Sequence, residues 1–250
     1  MRLHRFFIGD FSETKKHNGT NDVRGIVEGS TITYAQGTHQ WQRVFRFGAG
    51  DRVLLFDGSG NDYLCEIKEY QGETTILTVV SAEPNNVKPS RDVILVSALV
   101  KKDTFEWIAE KATELGVSRL VPLLAERSEK KNINEDRLEK IIIEASEQSG
   151  RGTLMELDLV KDLSLILKDK RLISHAIVFE PTGRKFEAND FDPNAFDQEK
   201  PLTVFIGPEG GWSEKELELF VEAGIPVVSL GPQILRAETA VIAALSLVVF

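Results

Sequence analysis

T-V-F-I-G-P-E-G-G-W-S-E-K-E runs from Thr203 to Glu216, and V-V-S-L-G-P-Q-I-L-R-A-E-T-A runs from Val227 to Ala240. In each stretch a short apolar run breaks at a glycine, and a helical pattern follows. Open α/β sheets bind ligands in the crevice at the carboxyl ends of their parallel strands. The two stretches therefore predict both a parallel sheet and a small-molecule site. Neither loop matches the phosphate-cradling patterns G-x-x-x-x-G-K-[ST] or G-x-G-x-x-G. Helix N-termini favour anions, yet Glu209 sits between the glycines, with Glu214 and Glu216 just beyond. A fixed carboxylate there repels a polyphosphate and tolerates a neutral or cationic ligand. Glu209 reads equally well as a cap for backbone N–H groups.

Working outward, Ser213 and Glu216 form a capping-box pair that starts a helix ending at Gly224, and Glu238–Val249 reads as a last helix. Upstream, Val93–Val100 is a continuous apolar run that predicts a strand buried on both faces. Asp103 with Glu106 resembles a capping box, and Phe105, Ile108, Ala109, Ala112 and Leu115 make a helical stripe closed by Gly116. Leu120–Leu124 is the next strand. Asn134 caps a helix with stripe Leu138, Ile141, Ile142 and Ala145 that ends at Gly150. Strands follow near Ile173–Phe179, Leu202–Ile206 and Val227–Leu230. Alternating strands and helices predict an α/β domain, a mostly parallel sheet with helices on both faces.

The N-terminal part has a different rhythm. Short β-rich runs recur at Leu3–Ile8, Thr31–Tyr34, Arg52–Phe56, Tyr63–Tyr70 and Thr74–Val80, and Asp57-Gly58-Ser59-Gly60-Asn61 is a hairpin turn. Closely spaced strands with glycine turns predict a small β-barrel. The turn-rich run Glu83–Ser90 marks the boundary.

Composition sets limits. The chain has 250 residues, 42% of them hydrophobic, enough for a packed core. The single cysteine, Cys65, excludes an internal disulfide and a multi-cysteine zinc site. His4, His17, His39 and His175 lack metal-ligand spacing, so no metal is expected. There is no signal-peptide core, and Ala240–Phe250 is too short to cross a bilayer and reads as a buried helix. A cytoplasmic location follows. Net charge is −9, but residues 1–52 hold 8 Lys and Arg against 5 Asp and Glu, an excess of +3, and the rest carries −12. A local basic face binds phosphates even on an acidic protein; ordinary scatter explains the excess as well.

G-P-E-G-G-W-S at Gly207–Ser213 and L-G-P-Q-I-L-R-A-E-T-A at Leu230–Ala240 closely resemble the signature loops of the SPOUT methyltransferases. M-R-L-H-R-F-F at Met1–Phe7, E-K-A-T-E-L-G-V at Glu110–Val117, R-S-E-K at Arg127–Lys130 and E-A-S-E-Q-S-G-R at Glu144–Arg151 extend the resemblance from end to end, in the family's order. It implies a trefoil-knotted enzyme that uses S-adenosylmethionine. The branch is the RsmE type, which methylates N3 of one uridine in small-subunit (16S) ribosomal RNA. It further implies a PUA-like RNA-binding barrel over residues 1–82, a catalytic domain over 90–250, and a homodimer with its active site near the subunit interface. Ribosomal RNA or the assembled small subunit is the implied partner. Periodicity alone argues for an ordinary doubly wound sheet, because true knots are rare.

The resemblance implies that Gly207, Pro208, Glu209, Gly210, Gly211, Leu230, Gly231, Ile234, Leu235, Thr239 and Ala240 hold the cofactor. For Leu230, Ile234 and Leu235 a core role is an equal alternative. Arg236 is the candidate for holding a deprotonated base; a structural salt bridge to Glu238 or Glu209 is the alternative. Glu238 is a candidate general base, as is Glu209, and spacing selects neither. Arg2, Arg5, Arg43 and Arg46 are candidate RNA contacts, interleaved with Phe6, Phe7, Trp41 and Phe45, in a pattern that suits single-stranded RNA. The aromatics also read as core. Arg127, Ser128, Gln148, Ser149 and Arg151 match family positions near the substrate side; they read equally well as surface residues. Two rivals stand beside this reading: an RNA-binding assembly factor without catalysis, and an enzyme acting on a nucleotide or small metabolite.

Overall fold

A computed structural model describes residues 3–9, 26–89, 91–187 and 200–249; Arg2 and His17 lie outside them. The chain forms two compact units, Met1–Val87 with Ser146–Leu154, and Lys88–Ala145 with Met155–Phe250.

The first unit holds β1 (Arg5–Phe7), β2 (Thr31–Tyr34), β3 (Arg52–Phe56), β4 (Asn61–Gln71) and β5 (Thr74–Pro84), in the sheet order β1-β3-β4-β5-β2. β1 runs parallel to β3, and the remaining pairs are antiparallel. The Asp57 carboxylate accepts from the Ser59 N–H at 3.0 Å, closing the turn between β3 and β4. Alternation along β3 and β4 sends Val53, Leu55, Tyr63, Cys65 and Ile67 inward. Trp41 is fully buried between Phe6 and Tyr34, with ring centroids at 4.7 and 4.6 Å. Phe6, Phe7 and Trp41 are therefore core, whereas Phe45 is half-buried and stacks on Phe47. Burial pushes the Cys65 thiol up to about 12, so it stays protonated and inert.

Arg5 requires a correction. Its guanidinium pairs with both Asp62 oxygens at 2.7 and 2.5 Å, donates to the Arg151 carbonyl at 2.8 Å and lies over the Phe56 ring. Alternation places it on the sheet beside Asp62, so its two terminal nitrogens, expected to face RNA, serve the fold, while its buried Nε has no hydrogen-bond partner. Ser146–Leu154 packs with this unit rather than with its sequence neighbours. Phe7 N–H donates to the Glu147 carboxylate at 2.9 Å, and Gly60 N–H donates to the Gly152 carbonyl at 3.0 Å. Gly152 fits because a Cβ there would lie 2.5 Å from the Asn85 side chain.

The second unit holds β6 (Val93–Ala98), α1 (Lys102–Glu114), β7 (Arg119–Leu124), α2 (Glu135–Ser149, whose last residues belong to the first unit), β8 (Glu156–Leu157) and β9 (Lys161–Asp162). It continues with α3 (Leu163–Ile166), α4 (Lys170–Ile173), β10 (Ala176–Lys185), β11 (Leu202–Ile206), α5 (Glu214–Glu222), β12 (Val227–Ser229) and α6 (Ala237–Val249). The sheet order is β12-β10-β11-β6-β7-β8, with β9 also on β7, and every pairing is parallel. Every residue of β6 and β11 is buried, Ser97 and Thr203 included, as expected of mostly apolar strands that helices cover on both faces. At the other side of the sheet Arg119 makes a bidentate pair with Asp158, at 2.8 and 2.7 Å. Burial alone would raise the Asp158 carboxyl, but hydrogen bonds from Arg119 and Lys161 outweigh it and hold it below the usual range.

Three local expectations change. The α1 N-cap is Lys101, without a side-chain cap, because Lys102 is already helical. Asp103 and Glu106 thus lie inside the helix and form no capping box; Glu106 faces Lys102 at 3.6 Å and Arg137 at 3.4 Å instead. Ile173 ends a short helix capped by Asp169, so β10 starts at Ala176. Finally, α6 is not buried all round, since Leu247 is 51% exposed.

Arg5→Ala should lower stability by about 3 kcal/mol in urea unfolding, because it removes the cation facing the Asp62 carboxylate and leaves that group only the Asn85 amide. Unchanged stability with weakened RNA binding would return Arg5 to the RNA surface.

Candidate functional site

The ends of β10, β11 and β12 form one open crevice. Its first wall is the loop after β11. The Ser213 hydroxyl accepts from Glu216 N–H, and the Glu216 carboxylate accepts from Ser213 N–H at 2.8 Å, so the expected capping box sets where α5 begins. The other Glu216 oxygen accepts from Glu126 N–H at 2.9 Å. Trp212 is buried and donates from its indole to the Phe179 carbonyl at 3.3 Å. Arg127 donates to the Gly210 and Trp212 carbonyls at 2.9 and 3.1 Å. The loop is thus pinned from β10, from α5 and from the segment after β7.

The second wall is the loop after β12. The Ser229 hydroxyl lies 2.9 Å from the Gly231 carbonyl and accepts from Gly231 N–H at 3.2 Å. Gly231 and Gly211 adopt φ of 148° and 68°, in the region that favours glycine. Ile234, 87% exposed, stands at the edge of the crevice. So exposed a side chain is not core, which removes that alternative for Ile234.

The third wall was not anticipated. Phe179 and Arg184 of β10 both register against Val228, so Glu180–Gly183 loop out between them. This carries Glu180 and Pro181 into the crevice. The Glu180 carboxylate lies 3.8 Å from where a Gly211 Cβ would stand. The signal was present as an apolar strand ending in E-P-T-G at Glu180–Gly183, a third strand-end loop. Phe179, Ile206, Ser229, Gln233 and Ala237 complete the lining.

Of the expected cofactor residues, Gly207, Pro208, Glu209, Gly211, Leu230, Gly231, Ile234, Leu235 and Ala240 line the crevice. Gly210 does not; its open side faces Arg127, whose Cβ would lie 3.3 Å from an added Cβ. Thr239 does not either, because Ala237 and Ala240, three apart, share the facing side of α6 and Thr239 is exposed on another. Arg236 and Glu238 flank the lining residue Ala237 without lining the crevice themselves. Arg236 is exposed, and its carbonyl accepts from Ala240 N–H at 2.8 Å, which makes it the first residue of the α6 cap. Its guanidinium has no ion pair with Glu238, Glu209 or any other described residue. In the first unit, Arg43 and Arg46 are exposed on the turn Trp41–Phe45 and its cap.

The crevice has apolar walls, glycine-edged backbone and two carboxylates, Glu180 and Glu209. That combination suits a ligand with a flat apolar part and a positive charge, and it disfavours a polyphosphate. No group of three or more His, Cys, Asp or Glu among the described residues is placed to hold a metal, and no helix among them is long and apolar enough to cross a membrane.

Residues 87–249 match the family model of the RNA methyltransferase domain, and residues 42–79 match that of the RNA methyltransferase PUA domain. Ribosomal RNA small subunit methyltransferase E of Helicobacter pylori (strain ATCC 700392 / 26695) is 32% identical over 219 residues, covering 86% of this chain and 89% of its own length. The protein of that name from Bacillus subtilis (strain 168) is 29% identical over 231 residues, covering 88% and 90%. The Legionella pneumophila protein Lpg2936, solved with its cofactor SAM bound, superposes with a TM-score of 0.80 at 25% identity, covering 98% of this chain and 96% of its own.

Gly211→Ala should cost about 1–2 kcal/mol, because it forces a Cβ into the left-handed region. Gly211→Asn should cost less, since asparagine visits that region locally. Equal losses for both in urea unfolding would mean that space, not backbone conformation, requires the glycine.

Proposed function

This chain belongs to the RNA methyltransferase family, and we propose that it transfers a methyl group from S-adenosylmethionine to N3 of a uridine in small-subunit (16S) ribosomal RNA. The observation that carries the reading is an acidic, glycine-edged crevice next to an arginine that no described carboxylate neutralises.

The residues present fit the cofactor. Ile234 and Leu235 offer apolar surface to an adenine ring, Gly207, Gly211, Leu230 and Gly231 offer close backbone, and Glu180 and Glu209 offer negative charge to an amine or sulfonium. When bound, the cofactor supplies a methyl group on a positive sulfur. The protein supplies orientation and electrostatics. A uridine N3 must shed its proton before it has a lone pair to donate, and the resulting anion needs a positive partner. Arg236 provides one. A cation at a helix N-terminus opposes the helix dipole and costs about 0.3–1 kcal/mol. Folding does not recommend it there, but anion binding does. Glu238, in the first turn of α6, and Glu209, in the lining, are the candidate bases.

The RNA grip falls to the first unit. Arg43 and Arg46 are its exposed candidate contacts, beside the half-buried Phe45 and Phe47. The half-exposed apolar face of α6 is the proposed seam of a homodimer, as C2 pairs are the commonest oligomers. The reading is of a cytoplasmic enzyme acting on ribosomal RNA or on the assembled small subunit.

Arg236→Ala is expected to lower turnover on ribosomal RNA by about 10²–10³, with cofactor affinity by calorimetry unchanged and thermal stability equal or slightly higher. Full turnover with a lower melting temperature would make the arginine structural.

Sedimentation at low micromolar concentration should give twice 27.9 kDa. A fully active monomer would remove the α6 seam from the proposal.

A further inference from the structure

The peptide between Gly210 and Gly211 is the least constrained one in the loop after β11. Gly211 lines the crevice with φ of 68°. Turning this peptide over would carry that φ to a negative value, and glycine accepts either sign about equally. Sterics therefore do not choose between the two orientations, and hydrogen bonds must. On one side the Gly211 N–H donates to the Pro208 carbonyl at 2.9 Å. On the other the Gly210 carbonyl accepts from Arg127 Nη1 at 2.9 Å, and the same nitrogen donates to the Trp212 carbonyl at 3.1 Å. One cationic nitrogen thus gathers the carbonyls on either side of Gly211. Such charge-assisted bonds are roughly twice as strong as neutral ones. Turned over, the peptide would set its carbonyl against the Pro208 carbonyl and its N–H against the guanidinium. Pro208 and Gly211 both line the crevice, so the reversed form has a different wall.

Arg127 is itself held in place for this contact. Ala125 N–H donates to the Ser128 hydroxyl at 3.2 Å, and Ser128 N–H donates to the Ala125 carbonyl at 3.1 Å, so Ala125–Ser128 is a closed turn just past β7. Glu126 N–H donates to Glu216 at 2.9 Å, which ties the turn to the helix that follows the loop. Ala125 is buried and Arg127 is exposed, so the turn is seated at its start and presents the arginine outward. The stem of Arg127 runs along the bare side of Gly210, where an added Cβ would lie 3.3 Å from the Arg127 Cβ and 3.5 Å from its Cδ. No carboxylate among the described residues forms an ion pair with Arg127. Its charge is directed at the loop backbone alone.

We infer that Arg127 is a positioning residue for the cofactor. It holds the Gly210–Gly211 peptide in one orientation and so keeps the first wall of the crevice in the form that binds S-adenosylmethionine. Arg127 does not line the crevice and acts only through the loop. The inference rests on the methyltransferase reading above, which makes S-adenosylmethionine the ligand of this crevice. A ligand that binds one of two conformers has an apparent dissociation constant equal to the intrinsic one divided by the fraction of that conformer. A loop in the binding form only about a tenth of the time therefore binds about tenfold more weakly.

The test compares the full chain with two variants. Arg127→Met keeps an apolar stem and removes every donor; Arg127→Lys keeps a positive charge with three donors. S-adenosylmethionine affinity is measured by calorimetry, and amide exchange by NMR without cofactor. Arg127→Met should weaken cofactor binding about tenfold and quicken exchange of the Gly211 amide. The Ser213 amide, held by Glu216 rather than by Arg127, should keep its rate. Arg127→Lys should recover most of both losses. Unchanged affinity in folded Arg127→Met, or a Gly211 amide that exchanges as in wild type, overturns the inference. Equal weakening in both variants, with the Gly211 and Ser213 amides quickened together and the melting temperature lowered, would make Arg127 a general support of the fold and overturns it too. If Arg127→Met does not fold, Arg127→Ala carries the same expectations. A Gly211 amide released in the variant, with no S-adenosylmethionine bound by wild type, would uphold the hold on the peptide and defeat the cofactor reading of the crevice.

Discussion

The second unit depends on one constraint: all of its strands run in the same direction. Parallel pairing requires every strand to return through a crossover, so all carboxyl ends emerge on one edge and all loops that follow them crowd together. β6 and β11 are buried along their whole length and leave nothing to vary except those loops. The crevice is made by three such loops. What holds the loops is a small set of polar contacts: the Ser213–Glu216 box, the Trp212 indole on the Phe179 carbonyl, and Arg127 on two carbonyls of the G-P-E-G-G-W loop. Each ties a loop to a strand or helix end that the sheet has already positioned.

Charge then sorts what the crevice accepts. Glu180 and Glu209 project into it, while Arg236 stands beside it at the start of α6. Negative charge at the lining and positive charge at the rim suit a reaction in which a cationic donor meets an anionic acceptor. As the methyl moves, both charges fade. Fixed groups placed in advance assist such a step because they need not reorganise. The same arrangement excludes nucleoside polyphosphates, which agrees with the absence of a glycine-lysine phosphate loop.

The first unit shows the opposite use of an arginine. The β1-β3-β4 register places Arg5 against Asp62, where two charge-assisted bonds and the Arg151 carbonyl engage its terminal nitrogens. Arg43 and Arg46 fall on a turn that points to solvent. Three residues of one type thus divide into a fastener and two free cations, and the division follows from strand register rather than from local sequence.

Much of this was legible in the chain itself. Local patterns decide features whose physics is local: the buried strand at Leu202–Ile206 from its mostly apolar, β-prone run before Gly207, the α5 start from Ser213 and Glu216, and the α2 cap from Asn134, whose Oδ1 accepts from Arg137 N–H at 3.1 Å. Nine of the eleven residues that the family resemblance marked for the cofactor line the crevice, because its motifs fall on the loops that follow β11 and β12. Other features belonged to the tertiary structure. Glu180 enters the site only because Phe179 and Arg184 both pair with Val228, a register no single strand reveals. Gly210 turns away to Arg127, 83 residues earlier in the chain. Residues Ser146–Leu154 join the first unit through bonds to Phe7 and Gly60 that helical periodicity does not encode. In each case the deciding partner is distant in sequence, and a one-dimensional pattern records which residues want burial or a cap, but not which far segment will provide it.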